Sequence, residues 1–111
     1  LWPDRRLPPP DLVLIEDVAG QPGDSRVAIA VLSGCVGMFT GICVGLGIRY
    51  QLVSPATWKT WAGLRGAPKA ASRAAACRRF PGHAALFRLV KHEDRAEAAL
   101  MAAWGREKAL G

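Results

Sequence analysis

Leu12-Val13-Leu14-Ile15 is an uninterrupted apolar run, followed at once by Glu16 and Asp17. Four apolar residues in a row predict a strand that is buried on both faces, as in a parallel or mixed sheet. A second run, Tyr50-Gln51-Leu52-Val53, predicts another strand, which Ser54 and Pro55 close. A segment of helical length separates the two runs. Strand, helix and strand at this spacing predict a right-handed βαβ unit and therefore an α/β fold.

The segment between the two strands carries no charge from Val27 to Ile48. Gly20, Pro22 and Gly23 predict a loop before it, and Asp24 or Ser25 is the expected cap of a helix that runs to about Gly47. Its 22 residues are enough to span a bilayer, but seven of them are Gly, Ser or Thr, and no aromatic belt marks either end. These features favour a buried helix of a soluble domain, packed closely through its small residues, and leave a membrane span as the alternative.

The rest of the chain predicts helices and one irregular segment. Leu1 to Asp11 is rich in proline and is expected to be a linker, which leaves 12–111 as one domain. Beyond the second strand the pattern predicts helices over 56–61, 69–79 and 92–108. The chain is 50% apolar and 22% charged, which excludes a wholly disordered chain and an all-membrane peptide. Its three cysteines lack the C-x-x-C spacing of a zinc site.

Charge is distributed unevenly over the 111 residues, whose net charge is +6. Nine basic residues and no acid occur between Arg49 and His92, so all nine acids lie outside that stretch. Such segregation predicts a basic surface and a polyanionic partner. Lys69 and Arg73, four residues apart, are expected on one helix face, where they can follow a phosphate backbone. The alternative is a solvated face without a ligand.

Four acidic residues form the candidate catalytic set. Glu16 ends a predicted buried strand, the edge at which open α/β sheets bind ligands. Glu93, Asp94 and Glu97 lie on the last predicted helix, within about one turn of each other. If these carboxylates converge, they supply the oxygen ligands that Mg²⁺ prefers. The alternative is that the helix acids only stabilise the helix dipole.

The order of motifs resembles that of the RuvC-like Holliday junction resolvases, including their phage and plant organellar members. The matching residues are Ile15-Glu16, a glycine-studded helix, Val53-x-Pro55-x-x-Trp58-Lys59, Lys69-x-x-Ser72-Arg73, Phe80-Pro81 and the run from Lys91 to Ala98. The resemblance covers nearly everything after Pro10. It implies an RNase H-like fold, with a mixed sheet flanked by helices, and a homodimer that cuts four-way DNA junctions during recombination and repair.

The resemblance also implies roles for individual residues. Glu16 matches the acid at the end of the family's fourth strand, and Glu97 matches the last helix acid. The acid expected just before Glu97 is Asp94 or Glu93, and His92 lies one residue further back. These residues would hold two Mg²⁺ ions, for which Mn²⁺ can substitute, about 4 Å apart. The expected DNA contacts are Ser25, Trp58, Lys59, Lys69 and Arg73.

One element of the family pattern has no counterpart in these residues. The family begins with a strand that carries an essential aspartate, and Asp4 and Asp11, in a proline-rich context, do not match it. We therefore expect the fold to lack its N-terminal strands and the chain alone to cut little DNA. The alternatives are a catalytically incomplete module that binds branched DNA and, less favoured, a small membrane protein built on 27–48. A plant or algal member would belong in an organelle nucleoid such as that of the chloroplast, and a bacterial or phage member in the cytoplasm or nucleoid.

Overall fold

A computed structural model describes residues 4–18 and 23–110 of the chain. They form two strands and four α-helices: β1 (Val13–Glu16), α1 (Arg26–Leu46), β2 (Tyr50–Val53), α2 (Pro55–Ala62), α3 (Ala70–Arg79) and α4 (Glu93–Lys108). Each element was predicted, with bounds that agree to within about one residue, and the α/β class is confirmed. Gly20 and Pro22 of the predicted loop lie outside the described residues. The chain divides into two compact units, 1–55 and 56–111.

The first unit is built on a parallel pair of strands. Val13 lies opposite Tyr50, and Glu16 lies opposite Val53, so both strands end at the same edge. One further hydrogen bond extends the ladder at each end. The amide of Val13 donates to the carbonyl of Arg49, and the amide of Asp17 donates to the carbonyl of Val53. Parallel strands joined by α1 form the βαβ unit that the sequence predicts.

Helix α1 begins and ends where local chemistry requires. The Ser25 hydroxyl accepts a hydrogen bond from the amide of Ala28 at 3.1 Å, so Ser25 rather than Asp24 caps the helix. Gly47 ends it in the left-handed conformation, with φ at 71°, and its amide bonds to the carbonyls of Cys43 and Val44. A residue with a Cβ would be strained there, so this glycine terminates the helix.

The prediction that α1 is buried is wrong for the unit that the structure describes. Cys43 is its one buried residue, whereas Val31 is 59% exposed and Met38 is 55% exposed. The expected close packing of small residues is also absent, since a Cβ added at Gly37, Gly41 or Gly45 would meet no atom of the described chain within 4 Å. The two strands are too short to cover the helix. A helix of 21 residues is about 31 Å long, whereas two four-residue strands offer a surface only about 13 Å long.

Helix α1 also meets the length and composition criteria for crossing a membrane, and among the described residues no other helix does. The core helix of a soluble protein and a signal sequence meet the same criteria. These properties therefore do not assign α1 to a membrane.

The second unit is a pair of packed helices with a short helix and two 3-10 helices around them. Helix α3 packs on α4 through small side chains, since Ala75 and Ala76 are buried on α3 and Ala96 on α4. Leu100 and Trp104 continue the buried stripe of α4, at the spacing that the sequence predicts. The 3-10 helices, Pro81–Leu86 and Val90–His92, lead the chain from α3 into α4 and were not predicted.

Candidate functional site

The first turns of α4 carry three acidic side chains. Glu93 and Asp94 occupy the first turn, and Glu97 follows about one turn later. Asp94 is exposed, whereas Glu93 and Glu97 are half-buried. The helix N-terminus stabilises carboxylates at these positions, because its free amide groups carry partial positive charge. The predicted grouping of helix acids is therefore present at one end of α4.

Glu93 has a basic partner on α3. The Nε atom of Arg73 lies 3.7 Å from Oε1 of Glu93, and both side chains are largely covered. Nη1 of Arg73 donates a hydrogen bond of 2.8 Å to the carbonyl of Arg88. The Nε atom is itself buried and makes no hydrogen bond. Arg73 was predicted to contact DNA, but this guanidinium faces the protein.

His92 precedes the acids and is buried. Its Nδ1 accepts a hydrogen bond of 3.3 Å from the amide of Leu89, so the proton of the neutral ring is on Nε2. Burial lowers the pKa of His92, and the positive charges of Arg95, Lys91, Arg73 and Arg88 lower it further. The ring is therefore neutral at pH 7 and helps to hold the turn that starts α4.

Glu16 ends β1 at the carboxyl edge of the parallel pair, as predicted, and is half-buried. It belongs to the unit 1–55, whereas the helix acids belong to 56–111. Within residues 4–18 and 23–110, no three His, Cys, Asp or Glu side chains form a group that could hold a metal ion. The acids that the structure does bring together are those of α4.

The other predicted DNA contacts differ in exposure. Lys69 is exposed at the start of α3. Lys59 is half-buried, with its ammonium 5.6 Å from the ring centre of Trp58. Trp58 is completely buried, so its side chain fills the interior and has no surface to offer DNA. Ser25 is exposed, and its hydroxyl is engaged as the cap of α1.

Three arginines that the sequence analysis did not single out gather near the C-terminal ends of α3 and α4. Arg78 and Arg79 end α3, and Arg106 lies in the last turn of α4. The guanidinium of Arg79 is stacked 4.1 Å from the ring centre of Trp61. The available signal was the pair Arg78-Arg79 after an alanine-rich helix. Arg79 lies near Arg106 because α3 packs on α4, which the sequence does not reveal.

No protein-family model matches the chain. The chain is similar to a chloroplastic Holliday junction resolvase of Chlamydomonas reinhardtii, with 38% identity over 84 residues. The aligned region is 75% of this chain and 10% of that protein, so the chain spans about a tenth of the relative's length. This similarity relates the chain to the Holliday junction resolvases.

Proposed function

We propose that this chain is part of an endonuclease that resolves four-way DNA junctions by Mg²⁺-dependent hydrolysis of phosphodiesters, as a homodimer, in recombination and repair. The observation that carries the proposal is the 38% identity to a chloroplastic Holliday junction resolvase over 84 residues. The parallel βαβ unit supports an RNase H-like fold, because α1 joins β1 and β2 in the arrangement expected for that fold's central strands.

The acids of α4 fit a magnesium ion chemically. Mg²⁺ takes oxygen ligands and is commonly held by one or two carboxylates together with water. Asp94 and Glu97, about one turn apart, supply two such carboxylates. Glu93 has Arg73 as its partner, which supports Asp94 as the acid that acts with Glu97. Glu16 completes the proposed ligand set on the strength of the resemblance.

Each proposed residue has a defined task. Asp94 and Glu97, and on the strength of the resemblance Glu16, would hold the cation, which when bound would supply positive charge to the phosphoryl oxygens and lower the pKa of bound water. Lys69 is exposed and Lys59 is half-buried, and both are basic, so they are suited to bind the DNA backbone. Arg73 stabilises the start of α4 and positions the acids without touching DNA.

The experiment that tests this function separates binding from cutting in the full gene product. We expect Glu97→Gln and Glu16→Gln each to bind a four-way junction like the unsubstituted protein, because amides keep the shape of the carboxylates. Both variants should fail to nick it, because they lose the charge that holds the cation. Asp11→Asn, at an exposed acid that precedes β1, is the matched control and should nick normally. Normal nicking by Glu97→Gln would exclude this acidic site.

A catalytically incomplete module that binds branched DNA is the second candidate. It is favoured by the lack of any group of three metal-ligating side chains in the described part of the chain. Both candidates predict steep salt dependence of binding, so binding alone does not separate them. A full gene product that binds junctions and never nicks them, at any Mg²⁺ or Mn²⁺ concentration, would establish the binding module.

A further inference from the structure

An open groove lies between the C-terminal end of α3 and α4, within the unit 56–111. Its volume is about 650 Å³, and it is lined by Arg79, Arg106 and Glu107 together with Ala99, Ala102 and Ala103. A smaller opening of about 380 Å³ adjoins it, since both share Arg79, and adds Arg78. We call the two together the arginine groove.

The arginine groove is positively charged on balance. It gathers three guanidinium groups, and in the described chain none of them forms an ion pair. The opposing charges are Glu107, which lies 4.0 Å from Lys108, and the two helix C-termini, each equivalent to about −0.5. Three full positive charges exceed that sum, so the groove attracts an anion.

Its geometry suits a phosphate chain better than a compact ligand. Arg79 stacks on Trp61 at 4.1 Å, which orients the plane of its guanidinium and leaves the edge free to donate hydrogen bonds. Planar guanidinium groups bind phosphate oxygens in a forked arrangement. The alanines add no bulk that would keep a sugar-phosphate backbone away, and the groove is open to solvent.

The arginine groove faces away from Glu97, and Arg106 lies about 120° around α4 from Asp94. Arg106 follows Glu97 by nine residues, which is about 2.5 helical turns, so the two side chains project from opposite sides of the helix. The body of the helix, about 10–12 Å across, separates them. One straight duplex segment lying at the acids therefore does not also fill the groove.

We propose that the arginine groove binds the phosphate backbone of a second duplex segment, distinct from the segment at the acids. The inference rests on the proposed function, because a four-way junction presents several duplex segments to one protein. A linear duplex occupies one side of α4 at a time, whereas a junction occupies both. The groove thereby contributes to the preference for junctions over linear DNA, since the second contact becomes intramolecular once the first has formed.

The test compares Arg79→Gln/Arg106→Gln with a control of equal charge, Arg5→Gln/Arg6→Gln. Arg5 and Arg6 are exposed and precede β1, and Arg6 forms an ion pair with its near neighbour Asp4. Dissociation constants are measured for a four-way junction and for a linear duplex of the same arm sequence, over a range of salt concentrations. Circular dichroism verifies that each variant keeps its helices.

We expect the groove variant to bind the junction at least about tenfold more weakly than the control. The affinity for the linear duplex should fall by no more than about twofold. For the junction, the slope of log binding constant against log salt concentration should decrease in magnitude by about 1.8, the value for two phosphate contacts. A groove variant that binds the junction like the control would overturn the inference.

The remaining outcomes separate the groove from the proposed function. If the unsubstituted chain binds junction and duplex equally, the proposed selectivity for junctions is wrong. If the salt dependence of the groove variant is then also unchanged, the groove does not bind phosphate backbone. A lowered slope in that case would keep the groove as a site for phosphate backbone. If the unsubstituted chain binds neither DNA, both proposals are wrong.

Discussion

The Nε atom of Arg73 on α3 lies 3.7 Å from Oε1 of Glu93, the residue that begins α4. The same guanidinium donates to the carbonyl of Arg88, just before the second 3-10 helix. One side chain thus joins α3, the connecting segment and the start of α4. Arg95 adds a second tie of this kind, because its Nη1 donates to the carbonyl of Leu86 at 3.2 Å. The first turn of α4, and with it the acids, is held by arginines that donate to carbonyls of the segment between α3 and α4.

Replacing Arg73 should therefore destabilise the chain. We expect Arg73→Gln to lower the free energy of unfolding by about 1.5–3 kcal/mol, because it removes a charged hydrogen bond to a backbone carbonyl. Glu93→Gln should cost at most about 1 kcal/mol, since the ion pair is partly solvated. Urea denaturation measures both. Lys69→Gln, at an exposed position near Arg73 in sequence, is the control and should change stability by less than about 0.5 kcal/mol.

The same ion pair distinguishes Glu93 from Asp94 in function. We expect Asp94→Asn to abolish nicking by the full gene product while junction binding persists, because it removes a proposed cation ligand. Glu93→Gln should keep nicking within about tenfold, an effect of about 1.4 kcal/mol through its packing against Arg73. Single-turnover nicking assays over a range of Mg²⁺ concentrations measure the difference. The opposite order of effects would assign the ligand role to Glu93.

The buried ring of His92 predicts a dependence of stability on pH. Burial and the neighbouring positive charges lower its pKa in the folded chain below the ordinary value of 6.5. The unfolded chain therefore binds the proton more readily, so the contribution of His92 to stability is complete above pH 6.5 and is lost as the pH falls through the folded pKa.

Substitution isolates that contribution. His92→Asn keeps an oxygen that can accept the hydrogen bond from Leu89 and cannot be protonated in this range. The difference in melting temperature between pH 7.5 and 5 should therefore be smaller in this variant than in the unsubstituted chain. His83→Asn, at an exposed histidine, should leave the difference unchanged. Equal pH dependence in His92→Asn and the unsubstituted chain would contradict the role of His92.

Much of this fold follows from local sequence signals, whereas the contacts of the site do not. The bounds of α1 were predictable because Ser25 caps one end and Gly47 adopts positive φ at the other. The partner of Glu93 was not predictable. Lys69 and Arg73 are both basic residues of the same predicted helix face, and only the packing of α3 on α4 turns Arg73 towards Glu93. Exposure of α1 was mispredicted for a related reason: a helix's own apolarity does not reveal how much surface its neighbours provide.

The exposed apolar side of α1 has a consequence for association. Val31, Met38 and Ile42 are among the large apolar side chains that α1 leaves exposed. Exposed apolar patches often mark sites of association, and the proposed homodimer offers a second copy to cover them. We expect the purified chain to remain in buffer without detergent and to sediment as a dimer. Met38→Lys should shift it towards monomer, because the side chain is 55% exposed in the single chain and would carry a charge into the interface.

The control is Val90→Lys, which places the same charge on an exposed apolar residue outside α1. It should leave the dimer intact, and both substitutions should change the unfolding free energy of the monomer by less than about 0.5 kcal/mol, since neither site is buried. Analytical ultracentrifugation measures the association. A chain that stays with the membrane fraction until detergent is added would instead favour the membrane protein, and a monomer in buffer before any substitution would exclude α1 as a dimer surface.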